Sequence, residues 1–492
     1  MALDRLRAYM EQHENEMLED LKTLIRIPSE RMEALPGMPF GEPAAKALEA
    51  AGRMLGDYGF HVTNYDNYAV AADLNQKPKA LDILAHLDVV PAGEGWQVTG
   101  AYTPAIVDGK IYGRGAADDK GPAIAAMYAM RAIKALGYEL SANVRLVLGS
   151  DEECGSSDLD YYYARETEAP CTFSPDADFP VINVEKGGLH SSFCRGLESS
   201  VANGIRLERI AAGTKINVVP GKAQAWVGGM TLGELKDLGC EVAEAAGVSF
   251  SYVEVDSAGV GGTNASSTNA DRTSIMITAN GQFAHAASPE TGNNALTALL
   301  MLLARIPFTD SAVAEAIDCL STLWPHGDFE GRALGVAQAD AVSGCLTMSL
   351  NLLSYDGRTL EGSFDCRAPL CANDGNTRCV IEKRLAQGGF VMDKRPMYPP
   401  HHVPADSPFV RTLLDCYTAV TGLPGKTLAI GGGTYVHDLK SGVAFGCGVA
   451  GVDNHMHGAD EFMDIAHLKQ CAVIFAEAIL RLCGADTGDG LE

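Results

Sequence analysis

No C-x-x-C pair occurs in the 492 residues, although the chain carries thirteen cysteines. An odd, scattered set of thiols excludes a secreted disulfide scaffold. Reduced and mostly buried cysteines are the expectation. Cys154 reads as a small packing residue, not a nucleophile, because no basic partner adjoins it. No stretch approaches the ~18 uninterrupted apolar residues of a membrane span. Residues 1–30 are charged and amphipathic and lack the apolar core of a signal peptide. Positive charge is scarce: 38 Lys and Arg stand against 63 Asp and Glu, giving a net charge of −25. That surface repels phosphate backbones and anionic membranes and favours solubility. The expected protein is cytoplasmic, with neither nucleic acid nor membrane as a partner. Walker, H-E-x-x-H and G-x-S-x-G motifs are absent as well. Gly113-Arg114-Gly115 opens like a dinucleotide fingerprint, but Asp118 stands where the third glycine belongs. The sequon at Asn264 has no meaning in a cytosolic protein.

What is present is ample apolar content, 47%, over a length that exceeds one typical domain. Residues 81–90 read as a buried strand ended by Pro91 and Gly93. Residues 122–136 read as a helix, with Pro at its start and Gly137 past its end. Residues 144–148 form a further strand, closed by Gly149. Strands alternating with helices predict an α/β fold: a mixed, mostly parallel sheet with helices on both faces. From about Leu189 the pattern turns β-rich, as in 222–227, with a small-residue loop at 259–270, and helical character returns near Ser407. The expected organisation is a catalytic domain split between 1–187 and 385–492, interrupted by an inserted α+β domain at 188–384.

Five motifs carry chemistry. His86-Leu87-Asp88 ends a strand, where residues i and i+2 point the same way, so the Asp88 carboxylate can orient a metal-binding His86. The plain alternative is a strand-end histidine beside a solvated acid. Gly113-Arg114-Gly115-Ala116-Ala117-Asp118-Asp119-Lys120-Gly121-Pro122 puts two acids at a helix start, where they either bridge cations or satisfy free amides. Asp151-Glu152-Glu153 follows a parallel strand, where α/β folds bind ligands, unless it is an exposed acidic turn. Asp176 lies in a further acidic loop, and His455 and His457 flank Met456 near the C-terminus. Two histidines with several carboxylates form an N/O ligand set, suited to zinc, manganese or cobalt and needing no thiolate.

In this order the motifs resemble those of the co-catalytic metallopeptidases that include aminoacylases and desuccinylases. They are most similar to the peptidase V / Xaa-His dipeptidase branch, through D-D-K-G-P, Val184-Glu185-Lys186-Gly187-Gly188, Asn217-Val218-Val219-Pro220 and Gly431-Gly432-Gly433-Thr434-Tyr435. The resemblance implies two divalent metal ions, zinc first and manganese or cobalt second. One would be held by His86, Asp118 and Asp176, the other by Asp118, Glu153 and His457, with Asp118 bridging. It makes Glu152 the general base and Asp88 the orienting group of His86. The insert resembles the family's lid, whose His285, in Gly281-Gln282-Phe283-Ala284-His285, polarises the scissile carbonyl. Asn217 and Arg367 would grip the substrate, Arg367 through its C-terminal carboxylate. Gly431, Gly432, Gly433 and Thr434 would offer backbone amides to the same group. Val436-His437 departs from the branch, which has a small residue and then Arg at this point.

The implied activity is hydrolysis of dipeptides by a metal-activated water, in a monomer by analogy, with a homodimer as the alternative. Two other readings stand beside it: an N-acyl amino acid deacylase or desuccinylase, and a catalytically silent binding module.

Overall fold

The computed structural model describes residues 2–197, 204–256 and 273–484. The loop at 259–270, with Asn264, lies outside them. Two compact units emerge. The first comprises Met1–Val184, His401–Ala429 and Gly433–Glu492; the second comprises Glu185–Pro400 and Ile430–Gly432. The first junction lies three residues from the expected one. The second lies at 400/401 and not 384/385, because the helix Arg378–Gln387 and the strand Val391–Met392 belong to the insert. That strand pairs with Gly187–Gly196 at the edge of the insert's own sheet.

The first unit is built on a nine-stranded mixed sheet. Its centre is parallel: Lys79–His86 runs between Asn143–Gly149 and Cys171–Ser174. Its flank is antiparallel, through Ala69–Asp73 and His61–Tyr65. Both faces are covered, and the alternation of side chains shows how. Leu81, Ile83 and Ala85 enter a core with the helices Lys120–Ala135 and Ile465–Leu482, while Leu84 and Val147 pack with Leu159 and Tyr162 of Ser157–Tyr163. The helix Lys120–Ala135 is buried on nearly every side, so its Ala- and Met-rich sequence fits a central position and not a surface one. At its start Gly121 has no substitute, since a Cβ there would lie 2.0 Å from the Ala116 carbonyl.

The second unit is an eight-stranded sheet, antiparallel throughout, with helices Leu232–Ala246, Ala295–Leu303, Ser311–Leu323 and Arg378–Gln387. The first of these carries a full capping box, Thr231 with Glu234, and ends on left-handed Gly247. All thirteen cysteines are free. Five are buried and six exposed, so the expectation of mostly buried thiols fails. Cys154 is among the exposed ones because it closes a short turn at the site and not a core strand. Its thiol is pushed up by partial burial and the nearby Asp151 carboxylate, which is the opposite of nucleophile activation.

The core of the first unit hinges on Phe475, fully buried among Phe173, Phe179 and Phe445. Phe475→Ala is expected to cost roughly 3–5 kcal/mol, seen as a lower urea midpoint at an unchanged slope. A shift below about 1 kcal/mol would show that the aromatic cluster re-closes around the gap.

Candidate metal centre

Three parallel strands deliver the site from their carboxyl ends. His86 is the last residue of Lys79–His86, opposite Gly149; Glu152 and Glu153 follow Gly149; Asp176 follows Ser174. Asp118 arrives from the turn before the helix Lys120–Ala135. His457 comes from a C-terminal loop in which His455, His457 and Asp460 all adopt positive φ, a costly backbone for non-glycine residues that marks a constrained loop.

These side chains converge in two groups that share one carboxylate. His86 Nε2 lies 3.0 Å from Asp118 Oδ1 and 3.6 Å from Asp176 Oδ2. His457 Nε2 lies 2.9 Å from Asp118 Oδ2 and 3.2 Å from Glu153 Oε1. Each set of three ligand atoms is close enough to surround one cation. His455 turns away, with Nδ1 near the Ala459 carbonyl and its ring against Phe462.

The electrostatics fit cations. His86 is completely buried, and no well-formed hydrogen bond reaches its Nε2 among the described residues. Its Nδ1 lies 3.0 Å from the Asp88 carbonyl, which fixes Nδ1 as the protonated nitrogen of the neutral ring and aims a lone pair from Nε2 at the carboxylates. Burial would lower the His86 pKa, yet Asp118, Asp176 and Asp88 together raise it well above its ordinary value. Hydrogen bonds donated to the Asp118 and Glu153 carboxylates push His457 up to about 10. Burial raises Glu152 well above the carboxylate range, and the neighbouring Asp176, Asp118 and Glu153 push it further. Asp176 is raised by burial and by Asp118. A pocket that binds protons this strongly to neutralise its own carboxylates offers the same field to divalent cations. With an all N/O donor set, these residues fit two hard or borderline metal ions.

Other groups hold the ligands in place. Asp88 lies just beyond the strand. Its carbonyl, not its carboxylate, is the nearer partner of His86, and its carboxylate, 3.4 Å from Nδ1, accepts the backbone amides of Glu152 and Glu153 at 3.2 and 3.1 Å. One residue, through its carbonyl and its carboxylate, thus ties the first histidine to the acidic turn. Asp151 looks like its neighbours in sequence but is turned inward, accepting from Arg31 and from the hydroxyl and amide of Ser157. The peptide bond between Asp118 and Asp119 is cis. Asp119 faces away from the ligand pair and accepts the His86 amide at 3.0 Å. Glu461 accepts the amides of Ala117 and Asp118 at 2.9 and 3.2 Å, and pairs with buried Arg114 at 2.6 Å. Sequence reasoning left Glu461 and Asp119 without a role. Their signal was the run of acids beside each predicted ligand.

The remaining candidates divide between the units. Asn217, His285, Arg367, Gly431 and Gly432 fall in the second; Gly433 and Thr434 fall in the first. Within the second unit, Val218 pairs with His285, and the Ala286 amide donates to the Asn217 carbonyl, so Asn217 and His285 are neighbours. The Ala287 amide donates to His285 Nδ1, which makes Nε2 the protonated nitrogen of the neutral ring. Arg367 is clamped by Asp365 and donates to the Gly431 carbonyl at 2.8 Å.

Paired ligand groups at strand ends of an α/β sheet define a metallopeptidase when set beside known proteins. The chain belongs to peptidase family M20/M25/M40, which it matches over residues 83–481. It is 32% identical over 470 residues to the Beta-Ala-Xaa dipeptidase of Lactobacillus delbrueckii subsp. lactis, covering 95% of this chain and 96% of that protein. It is 31% identical over 480 residues to the putative dipeptidase YtjP of Bacillus subtilis, covering 95% and 97%. Among solved structures it shares its fold with human carnosine dipeptidase 1, at a TM-score of 0.57, 16% identity and coverage of 98% and 99%. It also shares its fold with the aminoacylhistidine dipeptidase of Vibrio alginolyticus, at a TM-score of 0.56, 14% identity and coverage of 96% and 97%. No helix among the described residues is long and apolar enough to cross a membrane.

Asp88→Ala removes the acceptor of two amides and loosens His86 together with Glu153. Metal affinity is expected to fall about 10–100-fold, read by competition with a chromogenic chelator. Unchanged affinity would show that the ligands are held without Asp88.

Proposed function

We propose that this chain is a metal-dependent dipeptidase, with His86, Asp118 and Asp176 holding one ion and Asp118, Glu153 and His457 the other. The two ligand groups joined through Asp118 are the observation that carries this reading. The two relatives, a Beta-Ala-Xaa dipeptidase and a putative dipeptidase matched over nearly their full length, support the substrate class. Zinc is the proposed metal, on the borderline N/O donor set. The reduced cysteines and net charge of −25 support a cytoplasmic location, and the long insert supports a monomer.

Bound divalent ions would supply Lewis acidity and a water of lowered pKa. The residues do the rest. Glu152, beside the ligands and raised by burial, takes the proton of the attacking water and hands it to the leaving amine. Asp88 fixes the turn that presents Glu152 by holding its amide. His285 donates from Nε2 to the developing oxyanion, with its other nitrogen committed to the Ala287 amide. Asn217, beside it, orients the substrate amide. Arg367, Gly431, Gly432, Gly433 and Thr434 receive the C-terminal carboxylate, which restricts the site to substrates with a free carboxyl one residue past the cleaved bond. His437 alters the local charge where the branch carries Arg.

Chelator-stripped protein, given back zinc, manganese or cobalt, should cleave dipeptides and spare tripeptides and N-acyl amino acids. Cleavage of N-acyl compounds alone would move the chain to the deacylases, and silence with every metal would make it a binding module. Glu152→Gln should lower kcat by about 10²–10⁴ with two metals per chain retained. His285→Ala should lower kcat by about 10²–10³ at unchanged metal content. Near-normal turnover in either variant would remove that residue from its assigned step.

A further inference from the structure

Arg367 is deeply buried, and its guanidinium is held from two sides. Asp365, two residues earlier on the strand Thr359–Ala368 and so on the same face, takes Nε at 2.7 Å and Nη2 at 2.8 Å. This is the bidentate pairing that fixes a guanidinium in plane as well as in place. Asp365 is itself pinned by His190, its cross-strand partner, at 3.1 Å. The third contact runs from Nη1 to the Gly431 carbonyl at 2.8 Å. Across from Arg367 on the neighbouring strand stands Gly188, where a Cβ would come within 2.4 Å of the Tyr398 hydroxyl and of the Cys366 carbonyl. Position 188 therefore has no room for a side chain beside Arg367.

A trans peptide unit is planar, so its carbonyl and the next amide point in opposite directions. Fixing the Gly431 carbonyl on Arg367 therefore turns the Gly432 N–H away from the guanidinium, and recognition at this point rests on Arg367 itself. Three of the five guanidinium N–H groups are used in these contacts and a fourth is engaged by the Tyr398 hydroxyl, which leaves one for a ligand.

We propose that Asp365 is a positioning residue for recognition of the substrate's C-terminal carboxylate: it locks the Arg367 guanidinium in the orientation that meets that anion. The proposal rests on the dipeptidase reading above. Asp365 touches no substrate atom; it acts by keeping the guanidinium in one plane, with its uncommitted N–H aimed at the anion. Its own charge also cancels that of Arg367 locally, so the site selects by geometry more than by net charge.

The test compares a dipeptide with its C-terminal amide, on metal-loaded protein of verified metal content and thermal midpoint. The wild type should prefer the free acid by about 100-fold in kcat/KM. Asp365→Asn should cut that preference at least tenfold through a raised KM for the acid, with kcat and the amide's KM changing much less. Arg367→Lys keeps the charge but cannot form the two-pronged pair, and should cut the preference similarly; it decides the matter if Asp365→Asn does not fold. Retention of the full preference by folded Asp365→Asn, or by Arg367→Lys, would overturn the proposal. A purely structural role would depress both substrates equally and also overturn it. If the wild type itself shows no preference while still cleaving dipeptides, the carboxylate-binding assignment fails before Asp365 is at issue. If it cleaves no dipeptide at all, the functional reading fails.

Discussion

Negative charge gathered out of water is the constraint around which the first unit is arranged. Asp88, Asp118, Glu152, Glu153 and Asp176 lie close together, most of them with little exposure, and like charges at such separations raise one another's proton affinity. Left alone, the cluster would protonate or splay apart. The fold counters that with donors set around its perimeter: the amides of Glu152 and Glu153 on Asp88, the amide of His86 on Asp119, and those of Ala117 and Asp118 on Glu461. Backbone amides do not titrate near neutral pH, so they hold the carboxylates in place for as long as these stay ionised. The residual demand for positive charge falls on the two histidines, and it is this surplus that suits the site to cations.

The same logic distinguishes acids that look alike in sequence. Asp151, Glu152 and Glu153 are consecutive, yet only the two glutamates face the ligands. Asp151 has already spent its charge on Arg31 and Ser157. In Asp118-Asp119 the division is equally sharp: one residue bridges the histidines while the other braces the strand end.

Much of this was legible beforehand, because strand ends and turn glycines fix where ligand residues must fall. The strand ending at His86, the helix after Asp118, the strand before Glu152 and the insertion in mid-chain all follow from local pattern. What local pattern does not hold is contact across long sequence separations. Glu461 reaching back to Ala117, Asp88 reaching forward to Glu152, and Gly431 joining Arg367 depend on packing that no periodicity encodes. The second domain junction was misplaced for a related reason. A two-residue strand at Val391–Met392 carries too little pattern to be seen, yet it adds to the insert's sheet. The cysteines were misjudged because their burial depends on which face of each element they occupy.

The interrupted course of the chain also orders its own assembly. All three strands that carry His86, Glu153 and Asp176 leave the ribosome before the insert, whereas His457 and the long helix Ile465–Leu482 follow it. The insert, with an antiparallel sheet and a core of its own, can close as a unit while the first half waits. During that interval a half-formed nest of carboxylates has one histidine and no closing helix. The candidate ligand set is therefore completed only when the last part of the chain has been made.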